Sequence, residues 1–262
     1  MKEPFCTITK GDNSIIATAI HNGHYVNPEV AQQLAISEMD RLHEEDPYTA
    51  GWTEISTSKI VCNRSRFEVD LNRIREKAVY IYPEEAWGLH VWKKEPSRGI
   101  IEGSLMNYDK FYQEVNQLLL DIKSRFGYFV VLDLHSYNYL RDGSRVLTSD
   151  SSINPDINVG TESIINARWR SLVKRFIKEL REASYLNHQL DVRENIRFKG
   201  GNFPRWINNT FAESGCAIAV EVKKIFMDEW TGKLYEKKYN VIKEVLASTI
   251  PILLEELGLI KE

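Results

Sequence analysis

The chain has 262 residues, of which 43% are hydrophobic and 27% charged, a composition typical of a globular protein with a sizeable core. Its formal net charge of −3 gives no electrostatic basis for binding nucleic acid. No apolar run is long enough to span a bilayer, and the first residues lack the apolar segment of a signal peptide. We therefore expect a cytoplasmic protein without membrane contact, folded as a single domain over residues 1–262.

The cysteines add a second constraint. Cys6, Cys62 and Cys216 are few, odd in number and widely spaced, and no C-x-x-C motif is present. This pattern argues for a reducing compartment and against both a disulfide framework and a thiolate zinc site. A bound metal would therefore need histidine and carboxylate ligands.

Two strands predicted in the first part of the chain each lead into polar residues. Residues 14–20 form an apolar strand that ends at His21. An N-cap asparagine followed by proline then predicts a helix over residues 27–42. Residues 54–61 alternate as a half-exposed strand does, and they lead into residues 63–73, which are rich in charged groups.

The middle of the chain contains the segment with the clearest chemical signal. Residues 78–103 are aromatic and irregular, and they predict a long surface loop. Residues 108–126 have helical periodicity. Residues 128–132 are typical of a strand buried on both faces, and the sequence turns abruptly polar at residues 133–136, which include His135.

The remaining elements repeat the alternation of strands and helices. A short strand at residues 145–148 is predicted inside a loop-rich segment, and an amphipathic helix follows over residues 162–183. Residues 216–222 predict a last buried strand, with Glu221 near its end, and residues 236–257 predict a closing helix. This order predicts an α/β three-layer sandwich with a mostly parallel or mixed sheet.

Three predicted strands end in residues suited to metal-dependent hydrolysis. Ligands in open α/β sheets bind at the carboxyl ends of the strands, where we expect His21, His135 and Glu221 to meet. Two histidines and a carboxylate can bind zinc with one position left for water, and a further carboxylate can accept the proton of that water. Nearby arginines suit a carboxylate-bearing substrate. Motifs of zincins, serine hydrolases and P-loop proteins are absent.

At these positions the chain resembles the N-formylglutamate amidohydrolase family. The similarity covers roughly residues 14–232 and follows the order of the family's motifs. These are His21-Asn-Gly, Glu45-Asp46, residues 65–73, Asp133-Leu-His135-Ser136, residues 155–161, Lys199-Gly200-Gly201, Glu221-Val-Lys and residues 228–232. The family resembles zinc carboxypeptidases and aspartoacylases in fold, so the resemblance implies metal-dependent cleavage of a small N-acyl amino acid.

The resemblance also implies a role for each matching residue. His21 and His135 match the zinc-binding histidines, and Asp46 is the expected carboxylate ligand, with His24 as its rival. Glu221 matches the general base, and Asp133 is expected to orient a ligand histidine. The residues expected to polarise the scissile carbonyl and bind the substrate are Arg66, Asn72, Arg73, Gly200 and Gly201. Asn22 replaces the family's serine, and the aromatic segment has no clear counterpart in the family.

Structural alternatives remain open for each of these residues. The histidines could simply cap strands, Asp46 could cap a helix end before Pro47, and Glu221 could pair with Arg66 or Lys223. The arginines could form a solvated charge run. Alternative functions are a zinc peptidase or amidase that acts on a peptide or cell-wall amide, and a non-catalytic binding protein.

Overall fold

The computed structural model describes residues 4–140 and 150–261, which form a mixed sheet with helices on both faces. The predicted three-layer α/β sandwich is therefore confirmed. The strands are β1 (Cys6–Thr9), β2 (Ile15–Ala19), β3 (Ser58–Cys62), β4 (Phe129–Tyr137), β5 (Ile157–Gly160), β6 (Ser184–Tyr185), β7 (His188–Gln189), β8 (Val192–Glu194) and β9 (Gly215–Lys223). Strands β6 and β7 form a separate hairpin.

The main sheet has the strand order β1-β3-β2-β4-β9-β5-β8. Four consecutive strands, β3, β2, β4 and β9, run parallel to one another, whereas β1 and β5 are antiparallel to their neighbours β3 and β9. The carboxyl ends of β2, β4 and β9 consequently lie side by side at one edge of the sheet. This is the edge at which the sequence analysis expects the site.

Two helical layers cover the sheet. The α-helices are α1 (Pro28–Ala31), α2 (Glu38–Glu44), α3 (Thr49–Trp52), α4 (Arg98–Phe126), α5 (Arg170–Glu182), α6 (Asn202–Thr210) and α7 (Glu236–Lys261). Short 3-10 helices are present at Thr53–Ile55, Arg75–Lys77, Pro83–Ala86 and Ala167–Trp169. Apolar residues of α5 and α7 pack on one face of the sheet, and those of α4 and α6 pack on the other.

Strand β4 shows why the sheet is stable at its centre. All nine of its residues are buried, and alternate side chains enter opposite core layers. Val130 and Leu132 pack with the layer that contains α5 and α7, and Phe129 and Val131 pack with the layer that contains α4 and α6. A strand with both faces covered must be almost continuously apolar, as the sequence indicates.

The structure corrects two of the predicted helices. The helix predicted over residues 27–42 is broken into α1 and α2, because the amide of Ala35 donates to the carbonyl of Val91 at 2.8 Å. The side chain of Ser37 then accepts from the amide of Asp40 and starts a new helix. Helix α4 begins at Arg98, so the end of the predicted aromatic loop is helical.

The cysteine spacing argues against a disulfide framework, but the structure pairs two of the three cysteines. Cys6 and Cys62 form a disulfide between β1 and β3, where the two residues lie directly opposite each other. Residues 56 positions apart meet here through strand pairing, which cysteine spacing does not reveal. Only Cys216 is a free thiol among the described residues, and it is buried in β9. The cysteines therefore no longer support a reducing compartment.

Two further sequence predictions concern a short strand and membrane-spanning segments. The short strand predicted at residues 145–148 lies outside the described residues. Among the helices that the structure describes, none is long and apolar enough to cross a membrane.

Candidate active site

The site lies where the parallel strands end. His21 follows β2 by two residues, and His135 lies near the end of β4. Glu221 lies on the adjacent strand β9, in register with His135. The side chains of both histidines are at most 3% exposed, so their neighbours in the protein hold them in place. Their positions come from the backbone of the central strands.

Asp46 joins the two histidines from the loop after α2. Its amide donates to the carbonyl of His21 at 3.0 Å, which holds the loop against the end of β2. Its Oδ2 lies 2.9 Å from Nδ1 of His135 and 3.5 Å from Nδ1 of His21. One donor atom from each of these three buried residues lies within 4.8 Å of the other two. The structure thus brings the three expected ligands together.

The second nitrogen of each histidine is held by another carboxylate. Nε2 of His21 lies 2.7 Å from Oδ1 of Asp70, and Nε2 of His135 lies 2.9 Å from Oδ2 of Asp133. The hydroxyl of Thr18 donates to Asp133 at 2.7 Å and fixes that carboxylate in turn. These contacts keep Nε2 of each ring as a donor, so a metal bound beside Asp46 would replace the proton that Nδ1 shares with the Asp46 carboxylate.

This donor set suits zinc. Two imidazole nitrogens and a carboxylate oxygen are the ligands of many catalytic zinc sites, which leave further positions for water and substrate. Burial raises the cost of a charged Asp46, but hydrogen bonds to His135 and His21 hold its pKa well below the usual range. Asp46 is therefore an anion, as a metal ligand must be.

His24 does not join this group. Its Nδ1 lies 2.5 Å from Oε2 of Glu45, and its Nε2 lies near the guanidinium of Arg41, at 3.4 Å. Glu45 is completely buried and also accepts from the hydroxyl of Ser65. The structure therefore places His24 in a neighbouring hydrogen-bond network that supports the loop before Asp46.

Glu221 is the carboxylate that remains available for proton transfer. Burial raises its pKa to about 7, although the nearby His135 opposes this shift. The pairings considered from the sequence do not form, because Arg66 binds Asp70 and Lys223 binds Asp156. Within the described part of the chain, the Glu221 carboxylate has neither an ion pair nor a hydrogen bond. A buried, unpaired carboxylate beside a metal site is typical of a general base.

Arg66 is held firmly at the wall of the site. Its side chain is 13% exposed and donates to Asp70 at 2.8 Å, to the hydroxyl of Tyr80 at 3.2 Å and to the carbonyl of Glu44 at 3.2 Å. The guanidinium lies over the ring of Trp87, 4.8 Å from its centre. Burial would raise the pKa of Asp70, but Arg66 and His21 hold it well below its usual range. Arg66 is thus part of the structure that supports His21.

Arg73 and Asn72 lie near the same carboxylate as Arg66, because Nε of Arg73 is 4.0 Å from Asp70 and the amide of Asn72 donates to Asp70 at 2.7 Å. The Arg73 side chain is 42% exposed, and its Nη2 donates to the carbonyl of Glu85 at 3.3 Å. Asn72 is held by the amide of Phe203, which donates to its Oδ1 at 2.9 Å. A Cβ added to Gly201 would lie 2.2 Å from the same oxygen. Only glycine permits this close approach, which fixes Asn72 beside the more exposed Arg73.

A single cavity of about 400 Å³ connects these residues. It is lined by every site residue expected from the sequence except His24: His21, Asp46, Arg66, Asn72, Arg73, His135, Gly200, Gly201 and Glu221. The convergence of residues from distant parts of the chain on one cavity favours a functional site over isolated strand caps.

The site also depends on residues to which the sequence analysis gives no role. Asp70 lies within a motif of the family and holds Nε2 of His21 from behind the cavity wall, and Trp87, in the segment predicted as a surface loop, lines the cavity. Asn138, Arg197 and Lys224 also line the cavity. Lys224 carries a weak signal in the sequence, because a lysine directly after a buried strand requires a partner.

Comparison with known proteins agrees with this geometry. Residues 13–227 match the family model described as N-formylglutamate amidohydrolase. A solved structure described as N-formylglutamate amidohydrolase, from Ralstonia eutropha, superimposes with a TM-score of 0.75 at 14% identity, covering 95% of this chain and 96% of its own. No curated protein matches the chain.

Two further solved structures are also similar to this chain. A gene product of Agrobacterium tumefaciens gives a TM-score of 0.69 at 14% identity, covering 98% of this chain and 96% of its own. A metallo-carboxypeptidase from Pseudomonas aeruginosa gives only 0.42 at 15% identity, covering 96% of this chain and 64% of its own.

Proposed function

Because the chain belongs to the N-formylglutamate amidohydrolase family, we propose that it is a zinc-dependent hydrolase of N-acyl amino acids. The bond cleaved is a linear, non-peptide amide, and N-formyl amino acids are the preferred substrates. The observation that carries this proposal is the group of His21, Asp46 and His135 beside the unpaired Glu221. The partner is a small molecule, which fits a cavity of about 400 Å³.

His21, Asp46 and His135 would hold the zinc ion, with the orientation of the histidines fixed by Asp70 and Asp133. Zinc bound there would polarise the substrate carbonyl and lower the pKa of a water molecule. The neighbouring carboxylates keep both imidazole rings in place, so the ligands need little rearrangement to bind the metal.

Glu221 acts as general base and then as general acid. Its carboxylate accepts a proton from water as the water oxygen bonds to the carbonyl carbon. It returns the proton to the nitrogen as the carbon–nitrogen bond breaks, and the products are a carboxylate and a free amine. A pKa raised by burial suits both steps, because the group must gain and lose a proton near neutral pH.

Arginines orient the substrate. Arg66 is buried and rigid, and it faces the carbonyl oxygen as charge develops on it. Arg73 is more exposed and can form a two-pronged contact with the substrate carboxylate, next to Asn72 and the glycine backbone at Gly200 and Gly201. These roles account for the excess of basic side chains around the cavity.

The test is release of amine from N-formyl-L-glutamate by the purified protein, measured before chelation, after chelation and after zinc is restored. We expect turnover to be lost with the metal and to return with zinc. Turnover that survives complete metal removal would contradict the zinc dependence. Zinc-loaded protein that cleaves neither formylglutamate nor other N-acyl amino acids would contradict the proposed activity.

Two broader sequence predictions also remain proposals. We propose that residues 1–262 form one catalytic domain, which the family match over residues 13–227 supports. We also keep the cytoplasm as the proposed location, although the Cys6–Cys62 disulfide is unusual in a reducing compartment. Counting the thiols of protein taken directly from cells tests this location.

A further inference from the structure

Lys224 is a buried cation that the proposed reaction does not use. It follows directly after β9, and only 1% of its surface is exposed. Removing an ammonium group from water is costly unless it is hydrogen bonded, so the position of its partners is informative. Its Nζ donates to the carbonyls of His43 and Glu45, at 2.5 Å and 2.9 Å.

These two carbonyls lie at the end of α2. The last carbonyls of a helix have no partner within the helix, and they form the negative end of its dipole. Helix α2 ends at Glu44, and its cap residue Glu45 is extended. The ammonium group of Lys224 therefore caps this helix, although it is 181 residues from His43 and 179 residues from Glu45 in the sequence.

The contact with Glu45 matters most for the site. The carbonyl of Glu45 and the amide of Asp46 belong to one peptide group. The carbonyl accepts from Lys224, and the amide donates to the carbonyl of His21 at 3.0 Å. Both ends of this peptide plane are therefore held, and the plane sets the direction in which the Asp46 side chain leaves the backbone.

The anchor of Lys224 is itself rigid. Its own amide donates to the carbonyl of Tyr137, the last residue of β4, at 3.1 Å. Lys224 thus ties the loop before Asp46 to the two strands that carry His135 and Glu221. The geometry points to Lys224 as a positioning residue that holds Asp46 ready to bind the metal before the metal arrives. This inference rests on the proposed role of Asp46 as a ligand.

The adjacent lysine provides a matched control. Lys223 is also largely buried, but its Nζ lies 2.6 Å from Asp156 and donates to the carbonyl of Asn154 at 3.1 Å. Among the described residues, its side chain forms no hydrogen bond or ion pair with α2 or with the loop before Asp46. Lys223→Met and Lys224→Met therefore remove the same group from neighbouring positions, and only the second change frees the Glu45–Asp46 peptide.

The first measurement is the dissociation constant of zinc, obtained by competition with a chromophoric chelator. Loss of a group that orients a metal ligand typically weakens metal binding about 10- to 100-fold. We expect a loss in this range for Lys224→Met and a change of less than about threefold for Lys223→Met, both relative to the unmodified protein. Equal zinc affinity in the two variants would overturn the inference.

The second measurement is hydrogen exchange in metal-free protein, which does not depend on zinc binding or activity. We expect the Asp46 amide to exchange at least tenfold faster in Lys224→Met, while amides of β4 and β9 keep their rates. Faster exchange at all of these amides would indicate general destabilisation and overturn the positioning role. If the unmodified protein binds no zinc, the proposed function fails, yet this measurement still tests whether Lys224 holds the Glu45–Asp46 peptide.

Should Lys224→Met not fold, the unmodified protein provides the test. If Lys224 holds the Glu45–Asp46 peptide, the Asp46 amide is protected from hydrogen exchange in folded, metal-free protein. Its protection should be comparable with that of amides at the end of β4. Protection that appears only after zinc is added would contradict preorganisation by Lys224.

Discussion

Glu221 differs from the other buried carboxylates of the site in its surroundings. Asp70 contacts Arg66 and His21, and Asp46 lies between two histidines. Glu221 has only the electrostatic influence of these groups and no direct partner within the described residues. A carboxylate that stabilises structure would be expected to have a partner, so the surroundings of Glu221 support the proposed role of this residue as general base.

Replacing Glu221 with glutamine should therefore lower turnover strongly without disturbing the metal site. General acid–base catalysis contributes roughly 10²- to 10⁴-fold to rate, and we expect kcat to fall by about this factor. Zinc content, measured on the same preparation, should equal that of the unmodified protein. Full activity of Glu221→Gln would remove this residue from the mechanism.

The same substitution should change how stability depends on pH in metal-free protein. Burial raises the folded-state pKa of Glu221 from 4.5 to about 7, so the folded protein binds this proton more tightly than the unfolded chain does. The stability that protonated Glu221 provides is fully present below about pH 4.5 and is lost as the pH rises through about 7.

We therefore expect Glu221→Gln to be more stable than the unmodified protein at pH 8, by up to about 3 kcal/mol, and similar to it at pH 4.5. Urea unfolding in the presence of a chelator at both pH values measures this difference. A difference that does not vary with pH would contradict the assignment of the raised pKa to Glu221.

Gly201 supports the substrate side of the cavity through its lack of a side chain. In Gly201→Ala the new methyl group would displace the Asn72 amide, which a Cβ at this position would meet at 2.2 Å. We expect KM to rise about tenfold or more, equivalent to a loss of about 1.4 kcal/mol in substrate binding, with a smaller effect on kcat. Steady-state kinetics separates the two effects.

Gly103 offers the control for this substitution, because it lies within α4 and a Cβ there would meet nothing within 4 Å. Gly103→Ala should leave KM unchanged and stabilise the helix by about 0.5–1 kcal/mol. An unchanged KM in Gly201→Ala would show that Asn72 does not bind the substrate.

At the scale of elements, the edge of the sheet depends on a covalent link. Strand β1 has only four residues and pairs with β3 alone, and β3 leads into the segment that carries Arg66 and Asp70. The disulfide between Cys6 and Cys62 closes a loop of 56 residues, and the loop-entropy relation assigns such a link about 4 kcal/mol. It thus stabilises one side of the site from a distance.

The double variant Cys6→Ser/Cys62→Ser should therefore lose up to about 4 kcal/mol of unfolding free energy and retain kcat/KM at temperatures where it remains folded. A reducing agent should destabilise the unmodified protein and leave the double variant unaffected. Thiol titration provides the check: burial raises the pKa of Cys216, so native protein should show no reactive thiol. Unreduced protein that shows three thiols after denaturation would disprove the disulfide.

On the scale of the whole molecule, the sequence predicts best what is set by local patterns. The central strands are long apolar runs, and the change to polar residues at their ends places His21, His135 and Glu221 at one edge of the sheet. Adjacent parallel strands place their carboxyl ends at the same edge of a sheet, so the central residues of the site could be predicted from the fold class. The resemblance to a family added Asp46, which has no periodic signal of its own.

Contacts between distant segments explain what the sequence did not predict. Asp70 contacts His21 across 49 residues, and Lys224 contacts Glu45 across 179 residues. The strand pairing that places Cys6 opposite Cys62 also links residues far apart in the sequence, as does the hydrogen bond from Ala35 to Val91. No local propensity encodes these pairings, because they depend on how loops pack once the sheet has formed.

The charge of the cavity has a consequence for how substrates arrive. The chain as a whole carries a net charge of −3, yet the basic side chains that line the cavity outnumber the acidic ones. The basic ones are Arg66, Arg73, Arg197, Lys199 and Lys224, and the acidic ones are Glu44, Asp46 and Glu221. Arg66 is paired with Asp70 and Lys199 with Glu162, so Arg73, whose side chain is 42% exposed, is the cation best placed to attract an anion toward the opening.

Ionic strength should therefore act mainly on substrate capture. Added salt screens this attraction over a Debye length of about 10 Å at 0.1 M, so kcat/KM for an anionic substrate should fall while kcat changes little. Kinetics across a salt series, with an uncharged amide as the reference substrate, measures the effect. Equal salt dependence for the two substrates would mean that the cavity does not steer anions. A protein that is acidic overall would thus concentrate negatively charged metabolites at the opening of its site cavity.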